Sequence, residues 1–229
     1  GIEIIVEKQM PISSGLGSSS ASAVAAVYAA NLLTGEKLTK DEMIEIAGIA
    51  EHKITSNYGE NCIAALLGGF VITTNFQPLQ GRRIGYLEDL WAIVVHPHMQ
   101  LETKKARQIL PEMVPLRDAV RNNQNTTRMV AGIIHNDLDL FLSGVDDLII
   151  EKARKSLIPG FDDVKKAAIK AGSSCATISG AGPSVFAFAK TKVKAEEIGK
   201  AMQKAFAQNK MSSTIYVSEI NRQGTYQIQ

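Results

Sequence analysis

Cysteine is scarce in this chain, and the scarcity narrows the covalent chemistry available to it. The 229 residues include two cysteines, Cys62 and Cys175, which lie far apart and form no CxxC pair. A disulfide framework needs several cysteines in an oxidising compartment. We therefore expect no disulfide and interpret both residues as buried thiols of a protein from a reducing compartment.

Long apolar runs and a strong net charge are also missing. No apolar run reaches the roughly 20 residues that cross a bilayer, and no signal peptide opens the chain. The net charge of +2 neither demands nor excludes nucleic acid, but no long basic run occurs. We expect a soluble cytoplasmic protein that binds a small molecule, with neither nucleic acid nor a membrane as a partner.

The first residues have an unusual pattern for the start of a protein. The chain begins with Gly1 instead of Met, and residues 2–8 alternate apolar and polar side chains. This alternation predicts a strand. Because a natural chain usually does not begin inside a strand, we expect an N-terminal part of the natural protein to precede this sequence.

The remaining periodicity indicates an α+β fold, because strands and helices follow one another without regular βαβ repetition. The segment 75–89 carries Pro, two Gly and mixed charge, and it is the best candidate for a domain boundary. Strands are predicted over residues 70–75, 90–97, 213–220 and 225–229, and helices over 20–33, 41–54, 137–157 and 194–209, among others.

The stretch "MPISSGLGSSSASAVAAV", residues 10–27, carries the clearest chemical signal. Gly15 and Gly17 allow positive φ and the close approach of another molecule. The serines that follow open a predicted helix, whose free N–H groups and dipole suit an anion, most often a phosphate. The alternative is a serine-rich helix cap without a ligand, but three hydroxyls that can bind phosphate or Mg²⁺ favour a phosphate loop.

This loop fits neither of two common phosphate-binding patterns. A Walker A loop needs GxxxxGK[ST], and the segment contains no lysine. A dinucleotide loop needs GxGxxG, and Ser20 stands where the third glycine is required.

"PISSGLGSSSA", residues 11–21, resembles the second signature motif of the GHMP kinases, which wraps around a nucleotide triphosphate. "SGAGPSVFA", residues 179–187, resembles the third motif of that family, a glycine turn that closes over the same phosphates. The resemblance implies ATP as a ligand. The nucleotide-binding residues that it implies are Pro11, Ile12, Ser13, Ser14, Gly15, Leu16, Gly17, Ser18, Ser19, Ser20, Ala21, Gly180 and Gly182.

The same resemblance implies a two-domain α+β architecture. Residues 1–86 would form a nucleotide-binding domain similar to ribosomal protein S5 domain 2 and truncated at its start. Residues 87–229 would form a ferredoxin-like C-terminal domain, and the family often forms homodimers.

Residues 91–160 are most similar to the homoserine kinases of that family, through "TKKARQILP", "AVRNN" and "KARKSLIPG". This similarity implies phosphorylation of L-homoserine to O-phospho-L-homoserine, a step of threonine biosynthesis, with Thr103, Arg107 and Arg154 at the substrate carboxylate. Independently, residues 103 and 107 share a helix face, and a guanidinium can hold a carboxylate bidentately. The alternative for both arginines is a solvated helix face, where most arginines lie.

The resemblance also implies the catalytic residues. Ser19 and Glu51 would hold Mg²⁺, although Glu51 without the family would be interpreted as an exposed helix residue. Asn61 would orient the substrate hydroxyl, and no catalytic base is nominated because homoserine kinases are thought to work without one.

One stretch departs from the homoserine kinase pattern. Tyr58 stands where a His is usual, and Glu60 where an Asp is usual, just before Asn61. Another GHMP small-molecule kinase, of the mevalonate or sugar type, therefore stays open as an alternative. A non-catalytic nucleotide-binding protein on the same fold also stays open. A small-molecule sensor built on the C-terminal half is a weaker alternative, because the phosphate loop lies in the other half.

His96 and His98 form an "HPH" pair at the end of a predicted strand. Residues two apart on a strand point to the same side, so the two rings could share a metal ion. No third ligand is evident, and structural zinc needs four.

Overall fold

The computed structural model describes residues 3–55 and 59–228. The described helices are α1 (Ser18–Leu33), α2 (Lys40–Thr55), α3 (Glu60–Leu67), α4 (Thr103–Gln108), α5 (Leu116–Ile134), α6 (Leu138–Ser143), α7 (Ile150–Arg154), α8 (Phe161–Lys170) and α9 (Lys192–Gln208). The described strands are β1 (Phe70–Phe76), β2 (Leu79–Gly85), β3 (Trp91–Pro97), β4 (Ala176–Ile178), β5 (Val185–Ala189) and β6 (Ser213–Glu219).

The chain divides into two compact units, which are described separately. The first unit comprises Gly1–Ile12, Gly17–Tyr86 and Asn221–Gln229. The second comprises Ser13–Leu16 and Leu87–Ile220. The assignment of nucleotide binding to residues 1–86, and of a separate C-terminal domain to residues 87–229, stays a prediction.

The first unit packs α1, α2 and α3 with an antiparallel hairpin of β1 and β2. A capping box fixes the start of α2, because the N–H and Oγ1 of Thr39 both donate to Glu42 Oε2 at 2.8 Å. The N–H of Glu42 donates back to Thr39 Oγ1 at 3.3 Å. The buried apolar residues between these elements are Val24, Met43, Ile44, Ala47, Cys62, Ile63, Leu66 and Leu79.

The second unit is built on a four-stranded antiparallel sheet in the order β4-β5-β3-β6. Counted within the unit this order is 2-3-1-4, which is the strand order of a ferredoxin-like β-α-β-β-α-β fold. Helices α8 and α9 pack against the sheet. The buried core includes Ile93, Val95, Phe161, Val164, Val185, Ala187, Ile198, Met202 and Phe206.

The two strands predicted at the ends of the chain are wrong in their described parts. Residues 3–9 and residues 225–228 have no regular secondary structure, and Ile5 is 81% exposed. Alternating side chains fit a strand, but a strand also needs a neighbour that completes its hydrogen-bond ladder. The sequence pattern carries no information about that neighbour.

The segment 75–89, expected at a domain boundary, contains β2, and the division between the two units falls within it, between Tyr86 and Leu87. Gly81 of β2 allows close packing, because a Cβ there would collide with Ile63 and with the Ile72 carbonyl oxygen. One internal prediction was wrong. The continuous helix predicted over 137–157 is interrupted between α6 and α7. Asp147 Oδ1 accepts the N–H groups of Ile149 and Ile150, so a side chain competes with the helical hydrogen bonds there.

Candidate active site

The start of α1 has the features of an anion-binding site. Its N-cap is Gly17, with φ +74°, and glycine has no side chain that could cap the N–H groups of the first turn. The helix runs for 16 residues, and its dipole adds positive potential at this end. A Cβ on Gly17 would lie 3.2 Å from the Cβ of Asn61, so Asn61 lies beside the helix start.

The three serines in the first turn of α1 differ in their environment. Ser18 and Ser20 are buried, whereas Ser19 is exposed. Ser19 Oγ donates a hydrogen bond of 2.8 Å to Glu51 Oε1. Glu51 is only 2% exposed, so the interpretation of Glu51 as an exposed helix residue is wrong. A hydroxyl and a buried carboxylate therefore meet at the helix start, and both are oxygen ligands of the kind that Mg²⁺ takes.

Lys8 is a contact of this loop that the sequence analysis did not identify. Its Nζ donates to Ser18 Oγ at 3.3 Å and to the Ser18 carbonyl oxygen at 3.4 Å. This places a positive charge at the start of α1. The available signal was a single lysine shortly before Pro11, but its segment was interpreted as a strand with no link to the loop.

The glycine turn of residues 179–184 lies in the second unit. The Ser179 N–H donates to the Ser184 carbonyl oxygen at 2.9 Å, and the Gly182 N–H donates to the Ser179 carbonyl oxygen at 2.8 Å. Gly180 and Gly182 both have positive φ, of +53° and +83°. The turn is therefore a tight loop between β4 and β5, as predicted.

Residues 13–16 of the phosphate loop pack against this turn. Ser179 Oγ donates to the Gly15 carbonyl oxygen at 3.0 Å, and the Ser184 N–H donates to the Ser14 carbonyl oxygen at 3.3 Å. A Cβ on Gly15 would collide with the Ser179 carbonyl oxygen. Two glycine motifs that lie far apart in the sequence are thus in direct contact at Gly15.

The remaining loop residues differ in their exposure. Ser14 is buried, and its Oγ accepts the Leu16 N–H at 3.3 Å. Pro11 is half-buried, Ile12 and Ser13 are exposed, and Ala21 follows in the first turn of α1.

Arg154 connects two of the predicted substrate-binding segments. Its Nε donates to the Ala106 carbonyl oxygen in α4 at 3.0 Å, and its Nη1 donates to the Gly180 carbonyl oxygen at 2.8 Å. Helix α4 carries Thr103 as its first residue and Arg107 one turn later. The predicted acceptor residues of the second unit therefore lie beside the glycine turn.

The charges at this place favour an anion. Burial lowers the pKa of Arg154, Asp147 raises it, and the positive charge of Arg107 lowers it. A guanidinium keeps its proton at neutral pH even after such a shift. Two repelling guanidinium groups gain free energy when an anion such as a carboxylate lies near both.

The segment that departs from the homoserine kinase pattern is only partly described. Tyr58 lies outside the described residues. Gly59 is the N-cap of α3 with φ +83°, and the exposed residues Glu60 and Asn61 form the first turn of that helix.

The histidine pair contacts hydroxyl groups. His96 Nδ1 lies 3.0 Å from Ser184 Oγ, and the two ring nitrogens of His98 lie 2.8 Å from Thr214 Oγ1 and 3.1 Å from Ser212 Oγ. Across residues 3–55 and 59–228, no group of three or more His, Cys, Asp or Glu side chains is arranged to hold a metal ion. The metal interpretation of this pair therefore has no support in the described part of the chain.

Two further predictions can be compared with the described residues. Cys62 and Cys175 are buried free thiols, as predicted. In the same residues, no helix has the length and apolar character required to cross a membrane.

Two family models match the segments of this chain that carry the two glycine motifs. Residues 1–69 match the model of the GHMP kinases N terminal domain, and residues 129–208 match that of the GHMP kinases C terminal domain. The homoserine kinase of Chlorobaculum tepidum is 40% identical over 226 residues, which cover 97% of this chain and 70% of the relative. The chain thus spans about 70% of the length of that relative.

Solved structures agree with this match. The crystal structure of homoserine kinase from Cytophaga hutchinsonii is 43% identical with a TM-score of 0.90, over 95% of this chain and 69% of that one. The mevalonate kinase of L. major has a TM-score of 0.68 at 17% identity, over 89% of this chain and 66% of that one, which shows a shared fold alone.

The chain therefore belongs to the GHMP kinase family, and its relatives at about 40% identity are homoserine kinases. The predicted α+β fold and the predicted kinase class are confirmed. Membership of a kinase family makes ATP one substrate and a small molecule the other.

Proposed function

We propose that this protein transfers the γ-phosphoryl group of ATP to the side-chain hydroxyl of L-homoserine, giving O-phospho-L-homoserine for threonine biosynthesis. The observation that carries the choice of acceptor is the arginine pair beside the glycine turn. Homoserine has an α-carboxylate for Arg107 and Arg154, whereas a sugar has none. The homoserine kinase relatives support the same choice.

In this proposal the nucleotide phosphates bind the amides of residues 15–20 and the dipole of α1. Gly180 and Gly182 add the backbone of the second glycine segment. Lys8 is an additional candidate, because its ammonium group already lies at Ser18.

Ser19 and Glu51 are the proposed ligands of Mg²⁺. Their oxygens lie 2.8 Å apart, and Mg²⁺ typically takes one or two carboxylates together with phosphate oxygens and water. Bound Mg²⁺ would neutralise charge on the phosphate oxygens. The Ser19 hydroxyl donates a hydrogen bond to Glu51 in the described arrangement, which keeps both oxygens at the helix start.

The acceptor is held by Thr103, Arg107 and Arg154, with Asn61 orienting the hydroxyl that is phosphorylated. Phosphoryl transfer requires little covalent chemistry from the protein, so positioning and charge stabilisation supply most of the rate. No side chain is assigned as a catalytic base. Assembly as a homodimer and a cytoplasmic location complete the proposal.

The experiment measures ADP release by the protein made from its complete gene, with L-homoserine, mevalonate, galactose and L-threonine offered side by side. Preference for homoserine is the expected result. ATP-dependent turnover of another alcohol would replace homoserine as the acceptor and identify Tyr58 and Glu60 as the first positions to exchange. Nucleotide binding without turnover of any alcohol would favour the non-catalytic alternative.

Removal of Arg107 tests the carboxylate contact. Arg107 is exposed, so the cost of about 2–5 kcal/mol for losing one partner of a buried charge pair is an upper limit for its contact with a carboxylate. Arg107→Ala should therefore raise the KM for homoserine strongly, with little change in the KM for ATP. Arg117→Ala, at an exposed position of α5, is the matched control. Unchanged kinetics of Arg107→Ala would exclude Arg107 from the acceptor site.

A further inference from the structure

His96 is a buried polar residue of β3 that has no role in the proposed reaction. It is 8% exposed, and its Nδ1 shares a hydrogen bond of 3.0 Å with Oγ of Ser184, which is completely buried. Burial lowers the pKa of His96, and the nearby charge of His98 lowers it further. The ring is therefore neutral at neutral pH. A polar ring in a sheet core is costly without a partner, so the bond to Ser184 is the contact to explain.

Ser184 connects three parts of the second unit. Its side chain contacts His96 on β3, and its carbonyl oxygen accepts the N–H of Ser179 at the other end of the glycine turn. Its own N–H donates to the carbonyl oxygen of Ser14 at 3.3 Å. Through one residue, the inner strand β3 is thus linked to the turn and to residues 13–16.

We infer that His96 is a positioning residue of the nucleotide site, which fixes Ser184 and thereby holds the glycine turn 179–184 and residues 13–16 in the arrangement that receives the phosphates. This inference rests on the proposed binding of the ATP phosphates by these two segments. His96 touches no reacting atom and acts entirely through Ser184.

His98 provides a matched comparison, because it differs from His96 in the groups that it contacts. Its ring nitrogens reach hydroxyls of Ser212 and Thr214 at the β6 side of the sheet. It is exposed, and these hydrogen bonds lie away from the turn. Loss of the His98 ring should leave nucleotide binding unchanged.

The test separates positioning from simple packing by combining two substitutions. His96→Leu alone leaves the buried Ser184 hydroxyl unpaired, and Ser184→Ala alone leaves the ring nitrogen unpaired. Each single variant should therefore lose stability, whereas the double variant should recover it, because replacing both partners of a buried hydrogen bond by apolar groups is nearly neutral. If the pair served stability alone, nucleotide affinity would recover in the double variant as well.

The measurement is the Kd of ADP by isothermal titration calorimetry, together with the urea midpoint, on the protein made from its complete gene. We expect a Kd for ADP about 3- to 10-fold weaker in both single variants, and equally weak in the double variant despite its recovered stability. His96→Asn places an amide atom near the position of Nδ1 and should bind ADP within about twofold of the wild type. His98→Leu should also match the wild type.

Two results would overturn the inference. One is a stable double variant that binds ADP as tightly as the wild type. The other is a double variant whose loss of ADP-binding free energy equals the sum of the losses in the two single variants. If His96→Leu does not fold, two other variants are compared. Ser184→Ala should bind ADP more weakly than the wild type, and His96→Asn should bind it as the wild type does. ADP binding needs no acceptor, so a failure of homoserine turnover would contradict the proposed function while this comparison still decides the role of His96.

Discussion

Single residues of the site illustrate which contacts a sequence can reveal. Ser19 and Glu51 are 32 positions apart and share a hydrogen bond of 2.8 Å. The resemblance to the GHMP kinases predicted this pairing. The residue types alone indicated that Glu51 is an exposed carboxylate. Lys8 was missed because no motif covers it. Its position near Ser18 depends on the path of residues 3–12, which local pattern did not predict correctly.

The first prediction concerns the charge of Glu51. Glu51→Gln keeps the shape and a hydrogen-bond acceptor for Ser19 but removes the negative charge proposed to hold Mg²⁺. The Mg²⁺ concentration for half-maximal activity should rise at least about tenfold, since even outer partners of metal sites often contribute that much. The measurement is a Mg²⁺ titration of the kinase assay at constant ATP.

Glu45→Gln is the control, because Glu45 lies on the same helix and is not one of the proposed ligands. A buried amide is cheaper to desolvate than a carboxylate, so Glu51→Gln should be at least as stable as the wild type. An unchanged Mg²⁺ requirement would remove Glu51 from the metal site.

At the scale of elements, the accuracy of sequence-based prediction depended on whether the determining contacts were local. The capping box of α2 and the apolar strand β3 were predicted correctly, because their signals lie within a few residues. The strand expected near the start of the chain was wrong, because a strand depends on a neighbour elsewhere in the sequence. The contact between Gly15 and the turn at 179–184 could be expected from two family motifs, but not from the periodicity of either segment.

The second prediction tests this contact between glycine segments. Gly15→Ala introduces a Cβ that would collide with the Ser179 carbonyl oxygen, at a residue with φ +80°. Gly35→Ala, at the end of α1, has a similar φ of +87° but no atom within 4 Å of the new Cβ among the described residues. Both variants should lose about 1–2 kcal/mol of stability through the left-handed conformation, and Gly15→Ala should in addition lose nucleotide binding.

Urea unfolding and ADP titration of both variants give the answer. The collision involves backbone on both sides, so side-chain rotation cannot relieve it and one of the two segments must shift. Equal ADP affinity in the two alanine variants would mean that the contact between Gly15 and the turn is not needed for the nucleotide.

At the scale of the whole molecule, each compact unit contains one cysteine in its interior. Cys62 lies in the first unit and Cys175 in the second, and both are buried. Burial raises the pKa of each thiol to about 11. The thiolate is the reactive species, so both groups are chemically silent while their units remain folded, even at pH values where an exposed cysteine ionises.

The third prediction follows from this arrangement. At pH 8, a thiol reagent should modify the native protein at least about 100-fold more slowly than the urea-unfolded chain, because modification requires opening of the unit that holds the cysteine. Mass spectrometry of labelled peptides identifies which thiol reacts as urea is increased, so the opening of each unit is followed separately. A saturating nucleotide binds the folded state and should slow the labelling of Cys62, which lies on α3 in the core shared with α1 and α2. Cys62→Ser, with Cys175 retained, isolates the second unit as a control. Rapid labelling of Cys62 in the native protein, unaffected by nucleotide, would mean that the core beneath the phosphate loop opens without global unfolding.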